Sequence, residues 1–557
     1  MVTEVIDIGE PIVHFRESLR PAVERRVTQG FDRLVAEAGV DVSANIATVA
    51  EVNGLNAQIK DVGADKSRLR TFRVLAIIAA VVAVIAALVL FPVGNPAAVI
   101  GGVLLLGVAV AAVLVITQRL TPQIRDQRER VAELTGQRDS AIQVGWNQLA
   151  PLNASYGWFT VPDIVASGDP VLRTEPFLTE TRLNDLRLGH GWNDPVGDFS
   201  SVLQVITGDI NGNPWLMVET LNHEMGWKTY TGFLVITWME AERYRDSNGN
   251  WRTRMVQRSQ TLTASVTKPF PEYDRNAFLV YGNVIAPEVN FTRQPSKLSG
   301  SNEGKMAQAR LNRTVNKLEK KSRKMGTDFT VMSNRDFEAL FHATDRDNET
   351  QFRVMFTPVA QEQMVSLLRD NQHGFGDNFH FLKSGNNIEI HSGQLQGMDL
   401  LANPAQFADW NLETARARFR DFTLHYSRAL YFTLAPLLAI PALQEPRDGM
   451  PLADNDSTPA AWELEVAANH LGESRFANER SVTTNILKVE PLGPPGKDGA
   501  VPASVTASGY SGTDRIDSVP MRGGDGRIHR VPVPWVEYRP VKKTTKFTLK
   551  PIRQRNS

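Results

Sequence analysis

Forty-five consecutive residues without a charged side chain lie between Arg73 and Arg119, and this segment constrains the chain more than any other. Residues 74–91 and 97–116 are almost wholly apolar, and a turn-forming segment at 92–96 separates them. At about 1.5 Å per residue, the two segments reach about 27 and 30 Å, close to the thickness of the hydrocarbon core of a bilayer. The sequence therefore predicts an antiparallel transmembrane hairpin.

Cations flank this predicted hairpin on both sides and are absent from its turn. They are Lys60, Lys66, Arg68, Arg70 and Arg73 before it, and Arg119, Arg125, Arg128 and Arg130 after it. Because positive residues stay on the cytoplasmic side of membrane helices, both chain termini are expected in the cytoplasm. Small residues spaced for close helix packing, within the hairpin or between protomers, are Ala79, Ala83, Ala87, Gly102 and Gly107.

Composition excludes several classes of site. The 557 residues include no cysteine, which rules out disulfide frameworks, thiolate zinc sites, Fe–S clusters and a thiol nucleophile. The 61 Lys and Arg residues balance 61 Asp and Glu residues, so the chain is not a globally basic nucleic-acid binder. No phosphate-binding loop or nucleophile elbow is present. We therefore predict no catalytic residue and no cofactor from the sequence.

The hydrophobic pattern predicts an α+β chain in five parts. These are an N-terminal helical stalk at 1–73, the transmembrane hairpin at 74–116, a second helical stalk at 117–150, an antiparallel-sheet-rich soluble domain at 151–444, and a linker with a β-rich C-terminal extension and basic tail at 445–557. Strands are expected at 201–208, 215–221, 230–240, 251–257 and 261–267.

Two Asp/Asn/Gly segments, at 209–213 and 246–250, separate predicted strands. They are typical of tight turns, and calcium binding is the alternative. Both lack the longer ligand loop with a terminal Glu that calcium loops require, which favours plain turns.

Residues 305–324 predict a basic helix with eight Lys and Arg residues, a single acid at Glu319, and Leu311, Val315 and Leu318 on one stripe. Its candidate lipid-contacting residues are Lys305, Arg310, Arg313, Lys317, Lys320 and Lys321. Three interpretations remain open: docking on anionic lipid head groups, nucleic-acid binding, and a solvated helix whose charge acidic neighbours balance. Nucleic acid is the least favoured because no aromatic residue accompanies the cations.

One histidine pair is the sole metal-site candidate. If Gly385 and Asn386 form a hairpin turn, His380 lies opposite His391, and Glu389 is a candidate third ligand. Such a pair would bind a metal or respond to pH, and the alternative is an exposed pair without function. His223-Glu224 begins like a zinc-protease motif, but Trp227 occupies the position of the second histidine.

Several short motifs follow the predicted hairpin in a fixed order: Asp209-Ile-Asn-Gly212, Trp215-Leu-Met-Val-Glu219, Tyr230-Thr-Gly232, Asp336-Phe-Glu-Ala-Leu-Phe341, Thr357-Pro358, Met364 and Leu367. Their order resembles a bacterial family, the domain-of-unknown-function 3137 family, over about residues 60–395. The resemblance implies two membrane spans followed by a cytoplasmic α+β domain, in a bacterial inner membrane. It implies no established activity, and no catalytic residue can be carried over from it.

These observations lead to one main hypothesis about function: a membrane-anchored scaffold or assembly protein that self-associates or recruits partners. The expected partners are the lipid bilayer, further copies of the chain, and anionic lipid head groups or other proteins; nucleic acid is not expected. A membrane-tethered enzyme or a metal or pH sensor is the alternative, followed by an oligomeric channel. The uniformly apolar spans offer a channel no hydrated path.

Overall fold

The structure is a computed structural model, and it describes residues 6–93, 96–296, 298, 305–324, 330–447 and 458–553. It confirms the predicted α+β class, with long helices in the N-terminal part and antiparallel sheets after them. By its contacts the chain divides into two compact units. One contains 27–157 and 404–422, and the other contains the rest of the described chain.

Thirteen α-helices are present in the described residues. They are α1 (Pro11–His14), α2 (Arg20–Glu37), α3 (Val42–Leu90), α4 (Pro96–Val115), α5 (Thr121–Ser155), α6 (Thr160–Gly168), α7 (Glu180–Asn184), α8 (Lys305–Lys324), α9 (Arg335–Phe341), α10 (Glu349–Met355), α11 (Pro358–Arg369), α12 (Leu412–Leu438) and α13 (Ala461–His470). A π-turn at Ile116–Leu120 joins α4 to α5 without a break.

Nine strands form two sheets within the same residues. They are β1 (Ser200–Ile210), β2 (Asn213–Arg245), β3 (Trp251–Gly282), β4 (Phe291–Arg293), β5 (Phe379–Ser384), β6 (Asn387–Ser392), β7 (Ile486–Pro491), β8 (Val501–Arg522) and β9 (Ile528–Leu549). The larger sheet has the order β1-β2-β3-β6-β5-β4, and the smaller sheet has the order β7-β8-β9.

The helical unit is built around α3 and α5, which pack along each other. Asp41 begins α3 because its carboxylate accepts a hydrogen bond from the backbone N–H of Ala44 at 3.0 Å. Val52 and Leu55 lie in the buried stripe of α3, as their spacing predicts. The helical character of both predicted stalks is therefore confirmed, and α3 continues from the stalk into the apolar segment without interruption.

Two helical segments, Val42–Leu90 and Pro96–Ser155, are long and apolar enough to cross a membrane. Their most apolar windows have mean hydropathies of 2.9 and 3.0, and only 11% of each window is buried within the protein. More than half of the surface of Ile78, Val82 and Leu104, which lie on these windows, is exposed. Residues 94 and 95 of the predicted turn lie outside the described residues.

The core of the other unit lies between the larger sheet and the short helices that cover it. Five phenylalanines pack together there: Phe291 of β4, Phe337 and Phe341 of α9, Phe352 of α10, and Phe356 after α10. Asn334 caps α9, because its side chain accepts hydrogen bonds from the N–H groups of Asp336 and Phe337.

The strand boundaries predicted between 213 and 282 are wrong. The sequence predicts four separate strands there, whereas the structure has two, β2 and β3, of 33 and 32 residues. Both predicted turns are correct: Asn211 and Gly212 adopt positive φ between β1 and β2, and Gly249 does so between β2 and β3. Residues 222–229 and 258–260 separate predicted strands within β2 and within β3. They contain no Asn-Gly or Asp-Gly pair and no proline, and pairing continues through them.

The C-terminal region also differs from the prediction in detail. Helix α13 lies at Ala461–His470 within the predicted linker and extension, and β8 and β9 form a second long hairpin. Most of the predicted basic tail is not a tail, because Arg539, Lys542, Lys543 and Lys546 lie within β9. Residues 554–557, the end of that predicted tail, lie outside the described residues.

Candidate interaction surface

Two long β-hairpins lie in the unit that contains both sheets. We call them the first hairpin (β2–β3) and the second hairpin (β8–β9). At about 3.3 Å per residue, the part of β2 beyond Asn222 is about 75 Å long. The side chains of even-numbered residues of β2 and β3 face the second hairpin. A small apolar core forms between them, in which Ile236, Leu262, Ala264, Val531 and Val533 are buried.

Gly232 allows the two hairpins to approach closely. A Cβ atom at this position would lie 2.0 Å from the carbonyl oxygen of Pro532 and 2.8 Å from the Cα of Val533. These are backbone atoms, which cannot rotate away as a side chain can. The contact therefore requires glycine at residue 232.

Polar contacts join the hairpins on both sides of this core. Asp517 of β8 accepts from the Nζ of Lys268 at 2.7 Å and from the indole N–H of Trp535 at 2.8 Å. The hydrogen bond from Lys268 is the main cause that lowers the pKa of Asp517. Near the tip of the second hairpin, the backbone N–H of Gly524 donates to the side chain of Gln260 at 2.7 Å. The relative placement of the two hairpins thus has both apolar and polar determinants.

The opposite face of the first hairpin is exposed and carries no charge over most of its length. Odd-numbered residues form this outer face, and all of them are uncharged from Met225 to Ala241 on β2 and from Met255 to Pro269 on β3. Trp227, Phe233 and Val235 are 68%, 71% and 60% exposed. Several large exposed apolar side chains on one uncharged face make it a candidate interaction site.

Hydroxyl ladders fill the outer face between its apolar side chains. Thr229 and Thr267 lie 3.1 Å apart between their oxygens, and Thr231 and Ser265 lie 3.0 Å apart. Because these hydroxyls satisfy one another across the strands, the face presents little unmet polarity to a partner.

Both backbone edges of the first hairpin are unpaired along its outer part. Among the described residues, β1 pairs with β2 only as far as Asn222, and β6 pairs with β3 only from Leu279 onward. The hydrogen bond from Asp246 N–H to Asn250 C=O shows that even-numbered residues bond within the hairpin. The N–H and C=O groups of odd-numbered residues therefore point outward, as that of His223 does toward Phe199.

The tip of the first hairpin has charges that differ between the two strands. On the inner face, Glu240 and Glu242 lie on β2, and Arg252, Arg254 and Arg258 lie on β3. Glu242 and Arg254 form an ion pair at 2.7 Å, which lowers the pKa of Glu242. One edge of the tip is thus acidic on this face and the other is basic.

The predicted histidine pair has the predicted register, with His380 opposite His391 and Phe381 opposite Ile390. The pKa of His380 is lowered by burial and then by His391 and Arg293. Glu389 accepts a hydrogen bond from the indole of Trp192 at 2.8 Å. Within the described residues, no three acidic or histidine side chains are close enough to hold a metal ion, so the metal site at His380, His391 and Glu389 stays a prediction.

The predicted small-residue positions divide between two environments. Ala83, Ala87 and Gly102 are buried in the contact between α3 and α4, where Gly102 packs on the ring of Phe91. Ala79 and Gly107 are exposed instead, and Ala80 and Ala109 take their places in the contact. The reason is geometric: at 3.6 residues per turn, a strict four-residue ladder rotates away from a straight partner helix.

The basic helix α8 forms as predicted, with Leu311, Val315 and Leu318 buried. Arg310, Arg313, Lys317 and Lys320 are exposed, and in the described part of the chain none of them has an ion-pair partner. The single acid, Glu319, pairs with Arg335 at 2.7 Å. The side chains of Lys305 and Lys321 lie outside the described residues, so the predicted lipid surface is described at four of its six positions.

Two buried carboxylic acids lie on α13, which packs against β1 and β7. Glu463 accepts from the backbone N–H of Leu178 at 3.0 Å, and Glu465 contacts the Nζ of Lys488 at 3.2 Å. Burial raises the pKa of each to about 7. Sequence reasoning missed both residues, because an acid at an internal helix position gives no local sign of burial.

A surface cavity of about 270 Å³ lies beside α12 and is lined by Arg20, His373, His425 and Arg428, among others. Arg428 donates to the carbonyl oxygens of His373 and Gly374, both at 2.7 Å. Its guanidinium is therefore occupied in holding the loop at 373–374. The cavity is smaller than most ligand pockets, and its shape points to no particular substrate.

Comparison of the chain with protein-family models, curated proteins and solved structures finds no match. The outer face of the first hairpin is therefore chosen as the candidate site from its geometry alone. Its sequence signal is period two: odd positions lack charge on both sides of the turn at 246–250. The pattern could have been recognised only if β2 and β3 had been read as two strands rather than four.

Proposed function

We propose that this chain is a membrane-anchored scaffold or assembly protein that self-associates. Its anchor is the helical hairpin α3–α4, and both chain termini lie in the cytoplasm of a bacterium. The chain resembles the domain-of-unknown-function 3137 family in the order of its motifs. The observation that carries the proposal is the exposed, uncharged outer face of the first hairpin with its two unpaired edges. Surfaces of this kind aggregate unless a specific partner covers them.

The apolar helices support the anchor. In water, side chains such as Ile78, Val82 and Leu104 would leave a large apolar area exposed, at a cost of about 25 cal/mol per Å². In a bilayer the same side chains contact lipid and the cost disappears. The cations on both sides of the hairpin support the orientation.

Self-association is tested by the mass of the full chain in mild detergent and in lipid nanodiscs. We expect particles larger than one chain by mass photometry, and chemical cross-linking in native membranes is expected to join chains before extraction. A monomer under both conditions, with no cross-linked partner of any kind, would contradict the proposed function.

The orientation is tested separately with single cysteines, since the natural chain has none. Ser67 and Ser140 are exposed and lie on either side of the apolar helices. In Ser67→Cys and Ser140→Cys, an impermeant maleimide is expected to label neither residue in intact cells and both after lysis. Labelling of either residue in intact cells would show that the proposed orientation is wrong.

A further inference from the structure

We propose that the first hairpin pairs edge to edge with the same hairpin of a second copy, β2 of one protomer against β3 of the next. This inference rests on the proposed self-association and names the surface that performs it. The product is an antiparallel sheet that continues from chain to chain. Its two ends are a free β2 edge and a free β3 edge, so the pairing is head-to-tail and closes when the protomers form a ring.

The extent of the two edges is the first argument. On β2, outward N–H groups run from Met225 to Arg245 with no proline among them. On β3, outward N–H groups run from Trp251 to Thr267, and prolines interrupt the edge only beyond that, at Pro269 and Pro271. The β3 edge from 251 to 267 lies at the same distance from the tip as residues 229–245 of β2, so a neighbour at the same level can bond along that part of the hairpin.

The β9 edge of the second hairpin is protected from pairing with another chain. The outward positions of β9 include Pro532, Pro534 and Pro540, which have no N–H to offer. This edge also lies against the inner face of the first hairpin, where the carbonyl of Pro532 approaches Gly232. Proline and coverage are the usual protections of edge strands. The β2 edge has neither proline nor coverage, which favours a specific partner there.

Charge complementarity selects a second copy as that partner. Glu240 and Glu242 pair with Arg258 and Arg254 within their own hairpin. With β2 beside β3 of a neighbour at the same level, the two acids also lie across from the neighbour's basic edge, so each arginine has acids on both sides. Between Met225 and Ala241 on β2 and between Met255 and Thr267 on β3 the outer face carries no charge and imposes no repulsion between copies, and its cations on β2, Arg243 and Arg245, lie nearer the tip. A strand from an unrelated protein would need both the length and this charge order by coincidence.

Ring closure also fixes the direction of pairing. In a ring whose rotation axis runs along the hairpins, neighbouring hairpins point the same way, and β2 then runs antiparallel to β3 of its neighbour. Antiparallel pairing is the arrangement in which the outward N–H and C=O groups of odd-numbered residues meet in pairs.

Single cysteines on different chains test this pairing directly. One tagged chain carries Thr231→Cys on β2, and a second, differently tagged chain carries a cysteine at one outward position of β3. The β3 positions are Ser259, Thr261, Thr263, Ser265 and Thr267. We expect a short bis-maleimide to join the two tags in native membranes, most strongly at one of these positions and weakly at its neighbours. Thr231→Cys alone is expected to give no cross-linked dimer.

A proline variant tests the role of the β2 edge. Thr237→Pro removes an outward N–H without removing a bond to β3, and natural prolines occupy equivalent outward positions of β3. We expect about a tenfold weaker association for Thr237→Pro, since a lost hydrogen bond and a bent edge act together, and none for Thr237→Val. Hydrogen exchange of β3 measures whether the hairpin itself stays intact in both variants.

The outcomes separate the two proposals. If the chain is oligomeric but no β2–β3 cross-link forms at any tested position, the edge pairing is wrong and the scaffold function stands. If β2 cross-links to β2, or Thr237→Pro associates as Thr237→Val does, the edge pairing is also wrong. A monomeric chain would overturn both the edge pairing and the scaffold function.

Discussion

The contact at Gly232 gives the sharpest prediction about how the two hairpins are held together. In Gly232→Ala, the new Cβ atom would lie 2.0 Å from the carbonyl oxygen of Pro532. Ordinary contact of a Cβ atom begins at 3.4 Å, so the backbones of β2 and β9 must separate by more than about 1 Å. Neither partner atom belongs to a flexible side chain, so the strain cannot be relieved by a rotamer change.

The cost can be worked from the core beside this contact. Five residues are buried there: Ile236, Leu262, Ala264, Val531 and Val533. A gap of 0.5 to 1 Å removes about a quarter to a half of each dispersion contact across it. Overpacking of this kind costs about 1–3 kcal/mol, and we expect the upper part of that range because both clashing atoms are backbone atoms.

The assay is hydrogen exchange measured by mass spectrometry, since the outer parts of the hairpins can open without unfolding the rest. Gly232→Ala is expected to increase exchange in peptides that cover 528–536 and 260–266 by about tenfold to a hundredfold, which corresponds to the expected cost. Gly226→Ala is the matched control, because its new Cβ atom meets only the movable carboxylate of Glu272.

Equal exchange in Gly232→Ala and Gly226→Ala would refute the reasoning. It would mean that β9 does not lie on the inner face of the first hairpin at this distance. The result would leave the edge pairing to be judged by its own cross-links, because that pairing uses the outward groups of β2 and β3.

Three further predictions concern other parts of the chain. Burial raises the pKa of Glu463 from 4.5 to about 7. Between these two pH values the folded state binds more protons than the unfolded state. The free energy of unfolding therefore falls by about 3 kcal/mol as the pH rises from 4.5 to about 7. Urea unfolding should show that Glu463→Gln loses this fall and is more stable than the natural chain at pH 8; an unchanged pH profile would contradict it. In nanodiscs with anionic lipid we expect α8 to be protected from hydrogen exchange, since each cation near such a surface contributes about 1 kcal/mol. Replacing Arg310, Arg313, Lys317 and Lys320 with Gln should abolish this protection. Equal protection of the natural chain in zwitterionic nanodiscs would argue against lipid docking. Gly102→Leu should separate α3 from α4, because even a Cβ atom there lies 3.1 Å from the ring of Phe91, and cysteines at Ala83 and Ala109 should then cross-link less than in Gly102→Ala.

The parts of the fold that the sequence predicted correctly are those with a local cause. Turns at 209–213 and 246–250 form because Asn and Gly accept positive φ, whatever surrounds them. The stripe of Leu311, Val315 and Leu318 is buried because helical spacing places all three on one side. The register of His380 with His391 follows from the short turn between their strands.

The candidate site was missed because its cause is not local. Residues 222–229 and 258–260 have weak strand character by themselves, and they are extended because their partners across the hairpin are extended. Likewise, Glu463 and Glu465 have ordinary local surroundings in the sequence, and only the packing of α13 against β1 and β7 buries them. Local propensity cannot report a contact between residues far apart in the chain.

The sequence alone determined that this chain has two helices able to cross a membrane and an α+β body, because apolar length and periodic burial are written in consecutive residues. Only the tertiary structure decided that β2 and β3 continue as one long hairpin, that β9 covers its inner face at Gly232, and that its outer face and edges stay open. The physical reason is that exposure and edge pairing depend on which distant strands meet, and a strand carries no record of that in its own composition.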